Sequence, residues 1–179
     1  MPALTVAAVW AFAEATLFFI VPDVWLTRLA LRNPRLALWA CLVATVAAVV
    51  GGSLMFAAGV RAPTAAEAAL EAVPGIFAGT VADVNGELRE SGPIAMIWGP
   101  ATGTPYKIYA VEAGRIGLAP AEFVGASVIA RLPRFLILTL AAGALTALFR
   151  PLLPKGAPEV VHAVLWLAFY AAYFLRVGW

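Results

Sequence analysis

Residues 36 to 59, LALWACLVATVAAVVGGSLMFAAG, hold no charged side chain over 24 positions. At the helical rise such a run is ~36 Å long, more than the ~30 Å hydrocarbon core of a bilayer. A helix of this kind belongs in a membrane, and the rest of the chain has to fold around that fact. Composition agrees: 63% of the 179 residues are hydrophobic and 12% charged, whereas a soluble domain carries about 25% charged residues. One membrane domain is expected over residues 1–179.

Two further runs predict spanning helices. Residues 159–178 contain VVHAVLWLAFYAAYFL, with Tyr170, Tyr173 and Trp179 as aromatics suited to the membrane interface. Residues 120–149 open at Pro120 and carry Arg131, Pro133 and Arg134 inside the run, so a kink near Pro133 is expected.

Two other apolar stretches are not simple spans. Residues 3–31 are too long for one helix and break at Pro22-Asp23, where proline removes a backbone donor and crowds the preceding turn. Residues 91–118 contain Gly99-Pro100-Ala101-Thr102-Gly103-Thr104-Pro105, which no continuous helix keeps. Both read as re-entrant hairpins, whose tips must be buried in protein or line a wet cavity, because irregular backbone is not viable against lipid. Between them, residues 62–90 read as interfacial amphipathic helices. Thr64 and Glu67 have capping-box spacing there, and Ile76, Phe77, Val81, Val84 and Leu88 form an apolar stripe opposite Asp83, Glu87 and Glu90.

Each half is then a broken hairpin followed by a spanning helix (36–60 and 120–149), with the second half entering from the opposite side. That is the pattern of two inverted repeats. The expected fold is an all-α polytopic membrane protein of two such repeats with an extra C-terminal transmembrane helix. Arg28, Arg32 and Arg35 before the first span, and Arg150 and Lys155 after the third run, place those loops in the cytoplasm. Residues 61 to 90, with two Arg against five acids, face outward. The N-terminus is then cytoplasmic and the C-terminus outside. Lacking a basic n-region and carrying Glu14, the first segment reads as retained rather than as a signal peptide.

The net charge of +2 is dispersed and leaves no nucleic-acid footprint. Cys41, the single cysteine, lies in the apolar run as a packed thiol. Gly51, Gly52 and Gly59 on the first span predict close helix packing. No cysteine-histidine set, paired-carboxylate cleft or phosphate loop with a lysine is present, so neither a metal, a cofactor nor an enzyme is expected.

The stretches WAFAEATLFFIVPDVWL at 10 to 26 and GPATGTPYKIYAVEAG at 99 to 114, with Leu118, Phe123 and Arg131 to Phe135, resemble the DedA superfamily. Its members share the VTT or SNARE-associated domain, and the likeness is to its small YqaA-like bacterial branch. It covers roughly residues 8 to 148. The resemblance implies two re-entrant hairpins, a bacterial inner-membrane location, and lipid transport or scrambling that is often proposed to be proton-coupled. This chain departs from the family in having Pro22-Asp23 where many members have a longer proline, glycine and glutamate motif, and Lys107 where many have arginine.

An ionisable group near the bilayer centre costs at least ~2.5 kcal/mol by insertion scales, so one that persists there needs a partner or a wet cavity. Glu14 and Arg131 each lie eleven residues into their segments and reach ~16 Å from opposite faces. Asp23 and Lys107 sit beside the hairpin prolines, and Arg134 is one turn from Arg131. On one reading, Arg131, Arg134 and Lys107 attract an anionic lipid headgroup while Glu14 or Asp23 exchanges a proton. On the other, Glu14–Arg131 and Asp23–Lys107 are static latches. Thr102, Gly103, Thr104 and Tyr106 are candidates for holding the headgroup at the broken tip, and the threonines are equally suited to capping the half-helix that follows. His162 reads as an interfacial histidine, and Glu112 with Arg115 as a local ion pair. A scaffold or assembly factor is the alternative to a transporter, and an intramembrane enzyme acting on lipid phosphates is a third and weaker option.

Overall fold

The structure is a computed structural model that describes residues 2–177, with the side chains of Ala101, Thr102 and Val177 left out of the description. Trp179, expected as an interface aromatic, lies outside the described residues. Among the described residues there are nine α-helices and two short 3-10 turns, with no strand. Three helices are long and apolar enough to cross a membrane: α3 (Pro34–Arg61), α8 (Pro120–Phe149) and α9 (Ala157–Val177). The chain is an all-α, multi-pass membrane protein.

Helix α3 is the central post. Asn33 caps it by accepting the Leu36 N–H at 3.1 Å, and Pro34 occupies the first turn, where its missing donor costs nothing. Its buried stripe is built of small residues, Ala37, Ala40, Ala44, Ala48, Gly51, Gly52 and Gly59 among them, spaced three and four apart. The opposite face presents Trp39, Leu42, Val46, Val50 and Leu54 to the surroundings. Small residues let neighbouring backbones come close, and α1, α2, α7 and α8 all pack against α3.

The two broken stretches fold as helix-turn-helix hairpins. In the first, α1 (Pro2–Thr16) and α2 (Asp23–Ala30) flank an irregular turn. Trp25 Nε1 donates to the Ala3 carbonyl at 3.0 Å and Trp10 Nε1 to the Ile20 carbonyl at 2.9 Å, which ties the limbs and satisfies the turn. In the second, α6 (Ala95–Thr102) and α7 (Tyr106–Arg115) are joined through Gly103, whose φ of 111° is open to glycine and strained for other residues. The turns meet: Lys107 Nζ donates to the Phe18 carbonyl at 3.0 Å. A side chain on Gly51 would meet the Phe12 carbonyl and Ala15, and one on Gly52 would meet the Tyr106 ring, so both hairpins end beside the same turn of α3.

Between the halves, α4 (Pro63–Glu71) and α5 (Ala78–Ser91) cover α7. The expected stripe is buried at Ile76, Val81, Val84 and Leu88, whereas Phe77 is 42% exposed. The capping box does not form: Pro63 takes the first helical position, Ala62 becomes the cap, and no side chain caps this end. Helix α8 continues unbroken through Pro133. Helix α9 runs antiparallel to α2, with Glu159 on Arg32 at one end and Tyr170 on Val21 further along.

Candidate functional site

Five ionisable side chains from four helices converge at the level where the hairpins meet. Glu14 ends α1, Asp23 opens α2, Lys107 lies in the first turn of α7, and Arg131 and Arg134 are mid-way along α8. The hairpin tips deliver the first three because each break is next to a charged residue, and the α8 pair follows from three-residue spacing. Glu14 bridges two cations, with Oε2 bonded to Arg131 Nη2 and Oε1 3.9 Å from Lys107 Nζ. Asp23 Oδ2 accepts from Arg134 Nη2 at 3.0 Å. Four of the five are buried, while the Arg134 side chain is 27% exposed and is the outlet of the cluster.

Three cations face two carboxylates, so with all ionised the cluster carries one net positive charge. The pairing is also incomplete. Asp23 Oδ1 and Arg131 Nε and Nη1 are buried without a hydrogen-bond partner among the described residues. Arg131 is instead clamped by rings, its guanidinium carbon 4.4 Å from the Tyr106 centroid and 5.6 Å from that of Phe135. Tyr106 is fixed in turn by donating to Ser127 Oγ at 2.7 Å, and Ser127 donates to the Phe123 carbonyl at 2.7 Å. An aromatic-walled guanidinium with free N–H groups and a spare positive charge suits an oxyanion.

Sequence reasoning puts the five charges at similar depth and, on its latch reading, pairs Glu14 with Arg131, the pairing the structure has. It pairs Asp23 with Lys107, and the structure differs: Asp23 takes Arg134, because α2 lies on α8, while the Lys107 amine turns to Glu14 and the Phe18 carbonyl. Of the headgroup candidates, Tyr106 is in the cluster as the floor under Arg131, and the Thr102 side chain lies outside the described residues. Gly103 forms the turn, and Thr104 donates its N–H to the Gly99 carbonyl at 3.1 Å while its side chain reaches Tyr109. Thr104 does not cap the half-helix: Pro105 is the cap residue, and among the described residues no side chain bonds there.

Other residues also sit differently from expectation. The local Glu112–Arg115 pair forms at 3.5 Å, but Glu112 is fully buried rather than at the surface, is also bonded by Asn85, and shares Arg115 with Glu67, so it fastens α5 to α7 as well. Tyr109 donates to Glu87 on the α5 face expected to be merely solvated. His162 joins Thr27 and Trp166 at the α2–α9 contact. Cys41 is buried against the Phe135 carbonyl and Thr139. Ser127 and Thr27 went unremarked in the sequence, although each lies one helical turn from a cluster charge, Arg131 and Asp23 respectively, a spacing that puts it on the same face.

No family model matches the chain, and no solved structure matches it. It is similar to an uncharacterised protein of Haemophilus influenzae, at 26% identity over 166 residues that cover 93% of this chain and 85% of that protein. The likeness therefore runs through both hairpins and the long helices.

Proposed function

We propose that the protein is a DedA-type lipid transporter or scramblase that moves an anionic lipid headgroup across the membrane, with Glu14 or Asp23 as the proton-linked group. The observation that carries this reading is the convergence of three cations and two carboxylates where the hairpin turns meet, with N–H groups of Arg131 left over. The hairpins act as re-entrant elements of two inverted repeats, entering from opposite faces so that irregular backbone meets inside protein. Phosphate is the chemistry that completes the site: it accepts from Arg131 and Arg134 and neutralises the excess charge. A carboxylate beside two cations then has a reason to change protonation when the anion arrives or leaves.

Reconstitution into liposomes with headgroup-labelled anionic phospholipid tests this. The expected result is exchange between leaflets well above the protein-free rate, with a pH dependence that Glu14→Gln or Asp23→Asn removes. Arg134→Gln, at the exposed edge of the cluster, is expected to slow exchange at least tenfold in a folded protein. Exchange at the protein-free rate by the folded wild type overturns the proposal. That outcome favours the second reading, a membrane scaffold, which the internal pairing of most of these charges supports.

A further inference from the structure

Helix α9 is held differently from the other long helices. None of its most apolar window is buried against the protein, whereas 44% of the corresponding window of α3 and 11% of that of α8 are. Side-chain hydrogen bonds and an ion pair tie it to residues 21 to 32, in the first hairpin and the turn that follows. Val21 N–H donates to the Tyr170 phenol at 2.8 Å, His162 Nε2 lies 2.8 Å from Thr27 Oγ1, and Arg32 Nε donates to Glu159 at 2.8 Å. Trp166 Nε1 reaches Thr27 Oγ1 at 3.3 Å, and Phe19 sets its ring against Tyr170 and Phe174 with centroids 6.4 and 5.6 Å apart.

These anchor points surround Asp23. Thr27 donates to the Asp23 carbonyl at 2.6 Å, and Val21 is two residues before Asp23. A seam of directional polar contacts with little apolar burial separates at a few points at once, and protein packing does little to hold it shut. The phenol of Tyr170 also occupies the N–H of Val21, a donor at the break in the hairpin that an anionic oxygen could otherwise use.

We infer that α9 is a gate over the first hairpin: Arg134 is already 27% exposed with α9 in place, and swinging α9 off the Tyr170, Thr27 and Arg32 contacts uncovers the buried Asp23 side of the pair and widens the way in for a phosphate-bearing headgroup. This rests on the transport reading of the charge cluster and adds the route by which that cluster is reached.

Two measurements test it. In a Cys41→Ala background, Arg32→Cys with Glu159→Cys and Phe19→Cys with Phe174→Cys are bridged by a short reducible bis-thiosulfonate. Lipid exchange is expected to fall at least tenfold on cross-linking and to return on reduction, whereas equal exchange before and after overturns the gate while leaving the transport reading intact. The second readout does not need transport. Hydrogen–deuterium exchange in liposomes is expected to rise at least tenfold over residues 19 to 32 in Thr27→Val combined with Tyr170→Phe, with α7 unchanged. No rise overturns the gate even if the protein moves no lipid.

Discussion

Arg131 has one nitrogen on Glu14, two nitrogens with no partner among the described residues and two aromatic rings beside its guanidinium, and this decides what substitutions around it do. Glu14→Ala takes the anion from Arg131 and Lys107 together, so a loss of about 3–5 kcal/mol is expected, as when a buried pair is broken from one side. Adding Arg131→Met removes the stranded charge and is expected to recover most of that loss; thermal unfolding in detergent measures both. Arg134→Gln strands Asp23 but opens at the exposed edge, where water reaches the site, and a smaller loss is expected. Which residues form the cluster was legible from charges placed at similar depth in apolar segments. Which carboxylate takes which cation was not, because helical rise gives depth while the angle around each helix comes from packing: α2 lies on α8, and that turns Asp23 to Arg134.

At the scale of elements, the meeting of α3 and α7 is a backbone contact with glycine on both sides. A Cβ on Gly59 would collide with the Val111 carbonyl, and one on Gly114 with the Phe56 carbonyl. Backbone cannot rotate away as a side chain can, so Gly59→Ala or Gly114→Ala is expected to cost about 1–3 kcal/mol in detergent unfolding. Gly125→Ala on α8, with nothing within 4 Å of the added carbon, is expected to cost nothing. The existence of these elements was readable: an uncharged run for α3, and prolines beside polar residues for the hairpin turns. The α7 side of the contact was not, because Gly114 announces nothing until α7 is laid across α3. The cap of α4 was misjudged for a local reason, since Pro63 is a better first helical residue than Thr64 is a cap.

Across the molecule, charge separates the two ends. Arg32 and Glu159 meet at one end of α9, while Tyr173 lies against Gly75, in the acid-rich middle segment, towards the other. Cysteines placed at Arg32 and Lys155 are therefore expected to label from one side of the membrane, the cytoplasmic side by the excess of arginine, and cysteines at Glu67 and Glu90 from the other. Labelling of all four from the same side would contradict the multi-pass arrangement. The long reach of the cluster in sequence also bears on how the protein is made. Glu14 and Arg131 are separated by 117 residues, and Asp23 and Arg134 by 111. At roughly 5–20 residues per second, each carboxylate is synthesised some 6–23 s before its arginine. Until Lys107 and then Arg131 are made, Glu14 lacks both cations it pairs with, so the first hairpin is not expected to settle at its final depth without being neutralised or remaining in water. Its insertion is expected to be a late event in biosynthesis, and nascent chains stalled short of residue 107 are expected to leave a cysteine at position 14 open to aqueous reagents that the finished protein excludes.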